Sequence, residues 1–195
     1  MTANKISYTL GICNGETASA CLFSNGILIA AASEERFSRK KLDNSFPIQT
    51  INYLLKHANI SLKNVENISY AWAKNFNQDL KLKYDERSDE CKKISNESFK
   101  IFSERIKWEV KRDKKKQEEF HNWAKSSLTQ KQLKLITQFY HHEAHAASAA
   151  LLSPFNKGLV LTADARGDFE ALTIWKFDRN NFKPLTKIYS SNFWF

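Results

Sequence analysis

Residues 6–33, ISYTLGICNGETASACLFSNGILIAAAS, decide the fold of this chain. They contain three runs of β-forming residues, separated by two short polar turns that include glycine. Ser24-Asn25-Gly26 is typical of a tight hairpin, because Asn and Gly tolerate the positive φ angles that such a turn requires. The stretch therefore predicts a three-stranded meander with a first turn at Asn14-Gly15 and strands over residues 6–13, 18–23 and 27–33.

A helix and a fourth strand follow the meander. After Pro47, apolar residues recur at helical spacing from Ile48 to Ala58, and proline is tolerated in the first turn of a helix. Residues 65–73 then have the composition of a strand. The predicted order is β-β-β-α-β.

The same order begins again near the C-terminal end. Residues 159–163 predict a strand, Gly167 a turn, and residues 171–177 and 182–189 two returning strands. Two such units favour an α/β fold with the duplicated ribonuclease-H-like lobes of actin-like ATPases, the first over residues 1–152 and an incomplete second over 153–195. Three strands without a covering helix leave one face of a sheet bare, so we expect a fragment of a longer protein.

The segment over residues 75–127 is rich in lysine and arginine, has acids interleaved and contains neither glycine nor proline. Phe99, Phe102, Ile106 and Val110 give it a partial apolar face. We interpret it as a solvated helical insertion into the first lobe. A nucleic-acid arm is disfavoured, because neither a reading helix nor a sheet of alternating aromatic and basic residues is visible.

Composition narrows the class of protein. The formal charge is +9, with 42% hydrophobic and 26% charged residues, which is typical of a globular chain with a real core. The three cysteines lack metal-ligand spacing and favour a reducing compartment such as the cytosol. The first residues lack the apolar core of a signal peptide. No apolar run approaches the ~20 residues that span a bilayer. We expect a cytoplasmic protein with no membrane or nucleic-acid partner.

Three of the five histidines lie in residues 140–147, YHHEAHAA. His141 and His145 are four residues apart on a predicted helix and share one face. Two imidazole nitrogens and the carboxylate of Asp164, which ends an apolar run, are a suitable ligand set for a divalent metal. A hydrogen-bonded helix terminus would also explain the pair. The zinc-protease pattern is not met, because Ala146 stands where its second histidine is required.

Two blocks of sequence resemble a known family. Residues 31–43, AASEERFSRKKLD, with the preceding meander, resemble the opening of nodulation-type and antibiotic-tailoring O-carbamoyltransferases. Residues 140–149, YHHEAHAASA, and 161–164, LTAD, are similar to the second signature of that family. The resemblance covers residues 6–73 and 136 to about 177.

The resemblance implies an actin-like domain, similar to the ATPases of tRNA threonylcarbamoylation, that transfers a carbamoyl group to a hydroxyl of a sugar or other natural product. In the family, carbamoyl phosphate and ATP first form carbamoyl adenylate in a separate C-terminal domain. By position, His141, His145 and Asp164 match metal ligands, with iron or another divalent ion contacting nucleotide phosphate. Lys41 matches a lysine near the activated carbamoyl group, and Gly15 lies in the turn expected near the cofactor.

Two departures from the family pattern affect the expected chemistry. Glu16 stands where the family usually has a histidine that acts as a general base. Glu16 replaces that base only if burial or neighbouring charge raises the pKa of its carboxyl. Ala165 replaces the glycine expected after Asp164, although Arg166-Gly167-Asp168 keeps a turn.

Two further function classes stay open at the level of sequence. One is a non-catalytic remnant that binds a nucleotide or a partner, which the Glu16 replacement and the expected truncation favour. The other is a metal-dependent enzyme of another class, such as a two-His-one-carboxylate iron oxygenase. Those ligands normally lie on a β-barrel, whereas His141 and His145 are predicted to be helical. Glu34 and Glu35 are interpreted as structural partners of Arg36 or Arg39.

Overall fold

The computed structural model of the chain describes residues 6–72, 88–89, 92–93, 95–167 and 170–189. The chain forms two compact units. The first unit comprises Met1–Ala71 and Arg112–Gln138, and the second comprises Trp72–Lys111 and Phe139–Phe195. This grouping differs from the predicted division at residue 152, because the helix that carries the histidines groups with the strands that follow it.

The first unit contains a five-stranded mixed sheet. Its strands are β1 (Tyr8–Cys13), β2 (Ser19–Ser24), β3 (Ile27–Ser33), β4 (Val65–Tyr70) and β5 (Ile136–Gln138). Across the sheet, the strands follow the order β3-β2-β1-β4-β5. The first three strands are antiparallel, whereas β4 is parallel to β1 and β5 is parallel to β4. This confirms the α/β class and the β-β-β-α-β order of a ribonuclease-H-like lobe.

Among the described residues, α-helices lie between β3 and β4 and between β4 and β5 in the sequence. The predicted helix after Pro47 is confirmed, and the predicted insertion is helical from Asn96 onward, while its residues 75–87 lie outside the described residues. Among the described helices, none combines the length and apolar character needed to cross a membrane. The helices are α1 (Glu35–Ser38), α2 (Ile48–His57), α3 (Asn96–Ser127) and α4 (Gln130–Lys134).

Two cross-strand rows of side chains form the centre of the first unit. Strand register aligns Leu22, Leu10 and Ile68 in one row and Ala20, Ile12 and Tyr70 in the next. All six are at most 5% exposed. The Tyr70 ring stacks on Phe120 of α3, with centroids 3.7 Å apart. Burying each large apolar side chain contributes roughly 1.5–3 kcal/mol, so these rows account for much of the stability of the sheet.

Glu34 stabilises the start of α2. Its carboxylate accepts hydrogen bonds from the backbone N–H groups of Gln49 and Thr50, at 3.1 and 2.9 Å, and from the Thr50 hydroxyl at 2.7 Å. Because the first N–H groups of a helix lack partners within the helix, a carboxylate there satisfies them. The predicted pairing of Glu34 with an arginine is therefore wrong. Glu35 does pair with Arg36, at 3.7 Å.

The second unit contains a three-stranded antiparallel sheet with strands β6 (Lys157–Gly167), β7 (Glu170–Asp178) and β8 (Asn181–Tyr189). Helix α5 (His141–Leu151) packs against β6 and β7. On β6, Leu159 and Leu161 are exposed, whereas Thr162 points to the opposite face and is buried. The exposed leucines agree with the prediction that one face of this sheet is bare. The predicted strand ends at Ala163, whereas β6 continues to Gly167, which pairs with Glu170 at the start of β7.

Replacement of Glu34 tests the cap of α2. Glu34→Ala is expected to lower the free energy of unfolding by about 1–3 kcal/mol, since it leaves buried donors without an acceptor. The control is Glu35→Ala, which removes the ion pair with Arg36 and a hydrogen bond from the exposed Leu42 N–H, together worth about 1 kcal/mol. Urea unfolding of both variants measures the difference. Equal losses in the two variants would show that Glu34 has no special capping role.

Candidate metal centre

The face of α5 that packs on the sheet orients its histidines. His142, Ala146 and Ala150 are buried and lie four residues apart, so they form the packed stripe of the helix. His141 and His145 belong to the next stripe. Because the buried stripe packs on the sheet, these two imidazoles project side by side from the adjacent face of the helix.

His142 holds this stripe in place through two hydrogen bonds. Its Nε2 lies 3.0 Å from the Glu170 carbonyl oxygen and its Nδ1 lies 2.6 Å from Thr162 Oγ1. A carbonyl only accepts, so Nε2 carries the proton and donates. Burial lowers the pKa of His142 and keeps the ring neutral, so Nδ1 accepts from the Thr162 hydroxyl, which lies nearer to this nitrogen than to the Thr173 carbonyl oxygen at 3.3 Å. The helix is thus attached to β6 and to β7.

A bulge in β6 presents Asp164. Ala163 pairs with Leu172 and Gly167 pairs with Glu170, so three residues of β6 lie opposite the single residue Ala171. Extra residues in one strand interrupt the ladder and redirect side chains, and such bulges are common beside functional sites. Asp164 is the first residue of this bulge.

The three predicted ligand residues converge. His141 Nε2 lies 2.9 Å from Asp164 Oδ2 and 2.9 Å from His145 Nε2, and His145 Nε2 lies 3.6 Å from the same carboxylate oxygen. Two ligand atoms that each lie about 2.1 Å from an ion are roughly 3.0–3.4 Å apart when the angle at the ion is 90–110°. The spacing of the three atoms therefore fits a single cation without large movement.

The chemistry of this donor set also fits a cation. Two imidazole nitrogens 2.9 Å apart can hold at most one proton between them. Nitrogen and carboxylate ligands suit zinc, iron and other first-row divalent metals. The side chains of His145 and Asp164 are 51% and 37% exposed, which leaves room for further ligands.

The other predicted site residues lie in the first unit. Lys41 is exposed in the loop after α1, and Gly15 and Glu16 lie in the turn between β1 and β2. The Glu16 side chain is 75% exposed and forms an ion pair with Arg112. The burial that the base role assumes is therefore not found at Glu16. Asp168 lies outside the described residues, as does the side chain of Ala165.

Two residues of this candidate centre are not identified as site residues by the sequence motifs. For His142, the helical phase that it shares with Ala146 and Ala150 is the signal that indicates the buried stripe. Gly167 lies against the imidazole of His141. No sequence signal identifies that contact, because it joins residues from a helix and a bulged strand.

Comparison with known proteins assigns the family. The family model of the carbamoyltransferase N-terminus matches residues 9–193. The chain belongs to this family. It is 27% identical to the nodulation protein NolNO of Sinorhizobium fredii, over 85% of this chain and 22% of that protein.

Two further relatives carry no functional name. An uncharacterized protein of Synechocystis is 31% identical over 87% of this chain and 27% of its own length. Another, of Methanocaldococcus jannaschii, is 28% identical over 91% of this chain and 26% of its own length. The carbamoyltransferase N-terminal chain thus spans about a quarter of the length of these relatives.

One solved structure with a similar chain is YeaZ from Pseudomonas aeruginosa. The TM-score is 0.48 at 15% sequence identity, over 94% of this chain and 67% of that chain. This likeness adds nothing to the assignment, which depends on the family match and on the strand order of the first unit.

The neutral state of His142 predicts a pH dependence of stability. Between the unfolded pKa of about 6.5 and the lowered pKa of the folded state, the unfolded chain binds a proton that the folded chain does not. The free energy of unfolding should therefore fall as the pH drops below about 6.5. Urea unfolding in the presence of a chelator, from pH 7.5 to 5, should show a shallower fall for His142→Gln. Identical slopes would exclude His142 as the source.

Proposed function

We propose that this chain is the N-terminal part of an O-carbamoyltransferase. It takes part in moving a carbamoyl group from carbamoyl phosphate, through carbamoyl adenylate, to a hydroxyl of a sugar or other small natural product. The observation that carries the proposal is the convergence of His141, His145 and Asp164 within 3.6 Å in a member of the carbamoyltransferase family. The cytoplasm is the proposed location.

The proposed cofactor of this centre is a divalent metal, with iron favoured by the family resemblance. His141 and His145 would hold it through Nε2 and Asp164 through Oδ2. When bound, such an ion supplies positive charge that stabilises a phosphate leaving group. The exposed sides of His145 and Asp164 support access by a phosphate ligand.

The proposed transfer step exchanges a mixed-anhydride bond for a carbamate ester bond. The acceptor hydroxyl oxygen forms a bond to the carbamoyl carbon, the bond from that carbon to the phosphate oxygen of the adenylate breaks, and AMP leaves. The hydroxyl proton must pass to a base. Glu16 is the proposed base by position, and its ion pair with Arg112 would have to open for it to accept a proton.

Lys41 and Gly15 are the proposed nucleotide-contacting residues of the first unit. The ammonium of Lys41 would neutralise charge on the activated carbamoyl group or its phosphate. Gly15, with no side chain, would let the turn backbone approach the cofactor. Support for both roles comes from their positions in the family motif and from the exposure of Lys41.

Metal analysis tests the centre. The purified chain is expected to bind about one divalent ion, because its two imidazoles and one carboxylate match a three-ligand site. His141→Ala and His145→Ala should each lose most of that metal. His121→Ala, which removes an exposed histidine of α3, is the control and should retain it. Equal metal content in all four proteins, measured by plasma emission, would refute the assignment of the ligands.

An activity assay tests the reaction. A protein that contains this chain at the full length of its relatives should release AMP from ATP only when carbamoyl phosphate is present. Lys41→Ala should slow carbamoyl transfer at least about tenfold, since it removes charge that stabilises the transition state. The neighbouring Lys40→Ala, also exposed, is the matched control. AMP formation that does not depend on carbamoyl phosphate would argue for another enzyme class.

A further inference from the structure

Gly167 has a packing role that its backbone conformation does not explain. It is buried at the end of β6 and, unlike Gly26, is not among the described residues with positive φ. A left-handed backbone is therefore not the reason for glycine here. The reason must lie in the space that a side chain would occupy.

That space is taken by the imidazole of His141. A Cβ atom built on Gly167 would overlap His141 Cδ2 and would lie 2.5 Å from its Cγ and 2.8 Å from its Cβ. Atoms in van der Waals contact lie about 3.5–4.0 Å apart, so none of these positions is tolerated. The helix backbone fixes Cβ of His141, so rotation of the ring about χ1 moves Cγ and Cδ2 but leaves the 2.8 Å overlap at Cβ.

The ring is also restrained on its other side. His141 Nε2 makes both of the 2.9 Å approaches in the centre, to Asp164 and to His145. His142, the next residue, attaches the same turn of α5 to Thr162 and Glu170. A side chain at residue 167 would therefore push the His141 ring out of the cluster or separate β6 from α5.

We propose that Gly167 is a positioning residue for the metal centre: its missing side chain lets the His141 imidazole lie against the backbone of β6, where Nε2 reaches both Asp164 and His145. This inference rests on the proposed function, in which these three residues bind a divalent metal. A substitution at residue 167 thus alters the ligand geometry without removing any ligand atom.

Cobalt binding tests the proposal, because Co²⁺ reports coordination geometry through its visible absorption. Calorimetric titration and absorption spectra would be recorded for the wild-type chain, Gly167→Ala and Gly158→Ala. Gly158 is the matched control, since it lies in the same strand and its added Cβ would meet Phe177 at 3.1 Å, far from the histidines. Gly167→Ala is expected to bind Co²⁺ about 10–100-fold more weakly and with a changed spectrum. Gly158→Ala should match the wild type in both.

The outcomes separate this inference from the proposed function. No Co²⁺ binding by the wild type would overturn the metal centre itself, and with it the role of Gly167. Wild-type affinity and spectrum in Gly167→Ala would overturn the positioning role alone. Loss of thermal stability in Gly167→Ala with an unchanged spectrum per bound ion would also count against it.

A second measurement applies if Gly167→Ala folds poorly. Removal of the ring should relieve the overlap, so the double variant Gly167→Ala/His141→Ala should have a higher unfolding midpoint than Gly167→Ala alone. His141→Ala by itself provides the reference for the cycle. Simple additivity of the two substitutions would contradict a direct contact between Gly167 and His141.

Discussion

The attachment of α5 to its sheet through His142 is the constraint on which the candidate metal centre depends. A fully buried imidazole that donates to the Glu170 carbonyl and accepts from Thr162 fixes both the height and the rotation of the helix. Because side chains four residues apart share a face, this rotation also determines where His141 and His145 point. The small residues Ala146 and Ala150 permit the close approach that these hydrogen bonds require.

The strand side of the centre has its own constraint. An uninterrupted β6 would pair Asp164 in the ladder and continue the alternation of side chains. The bulge between Ala163 and Gly167 releases it from that register and brings its carboxylate to the two imidazoles. Gly167 then returns the strand to its pairing with Glu170 at a point where the His141 ring leaves no room for a side chain.

Buried charge in this part of the chain is matched locally. The Glu170 side chain is 1% exposed, and it pairs with Lys187 at 2.6 Å and accepts from Thr173 at 3.3 Å. An unpaired carboxylate at this depth would be strongly destabilising, so the pair keeps β7 and β8 together beneath α5. The backbone carbonyl of the same residue accepts a hydrogen bond from the Nε2–H group of His142, which couples the sheet and the helix.

The sequence by itself determined the elements and the candidate ligand residues. Alternating β-formers, the Asn25-Gly26 turn and the helical spacing after Pro47 predict the first unit, because these signals are local. The spacing of His141 and His145, with Asp164 at a strand end, predicts the three ligands for the same reason. Only the tertiary structure decided that Glu34 caps α2, that Glu16 pairs with Arg112, and that β6 bulges under His141. Each of these features depends on a contact between residues that are distant in the chain. Composition and periodicity describe local sequence and do not predict such contacts.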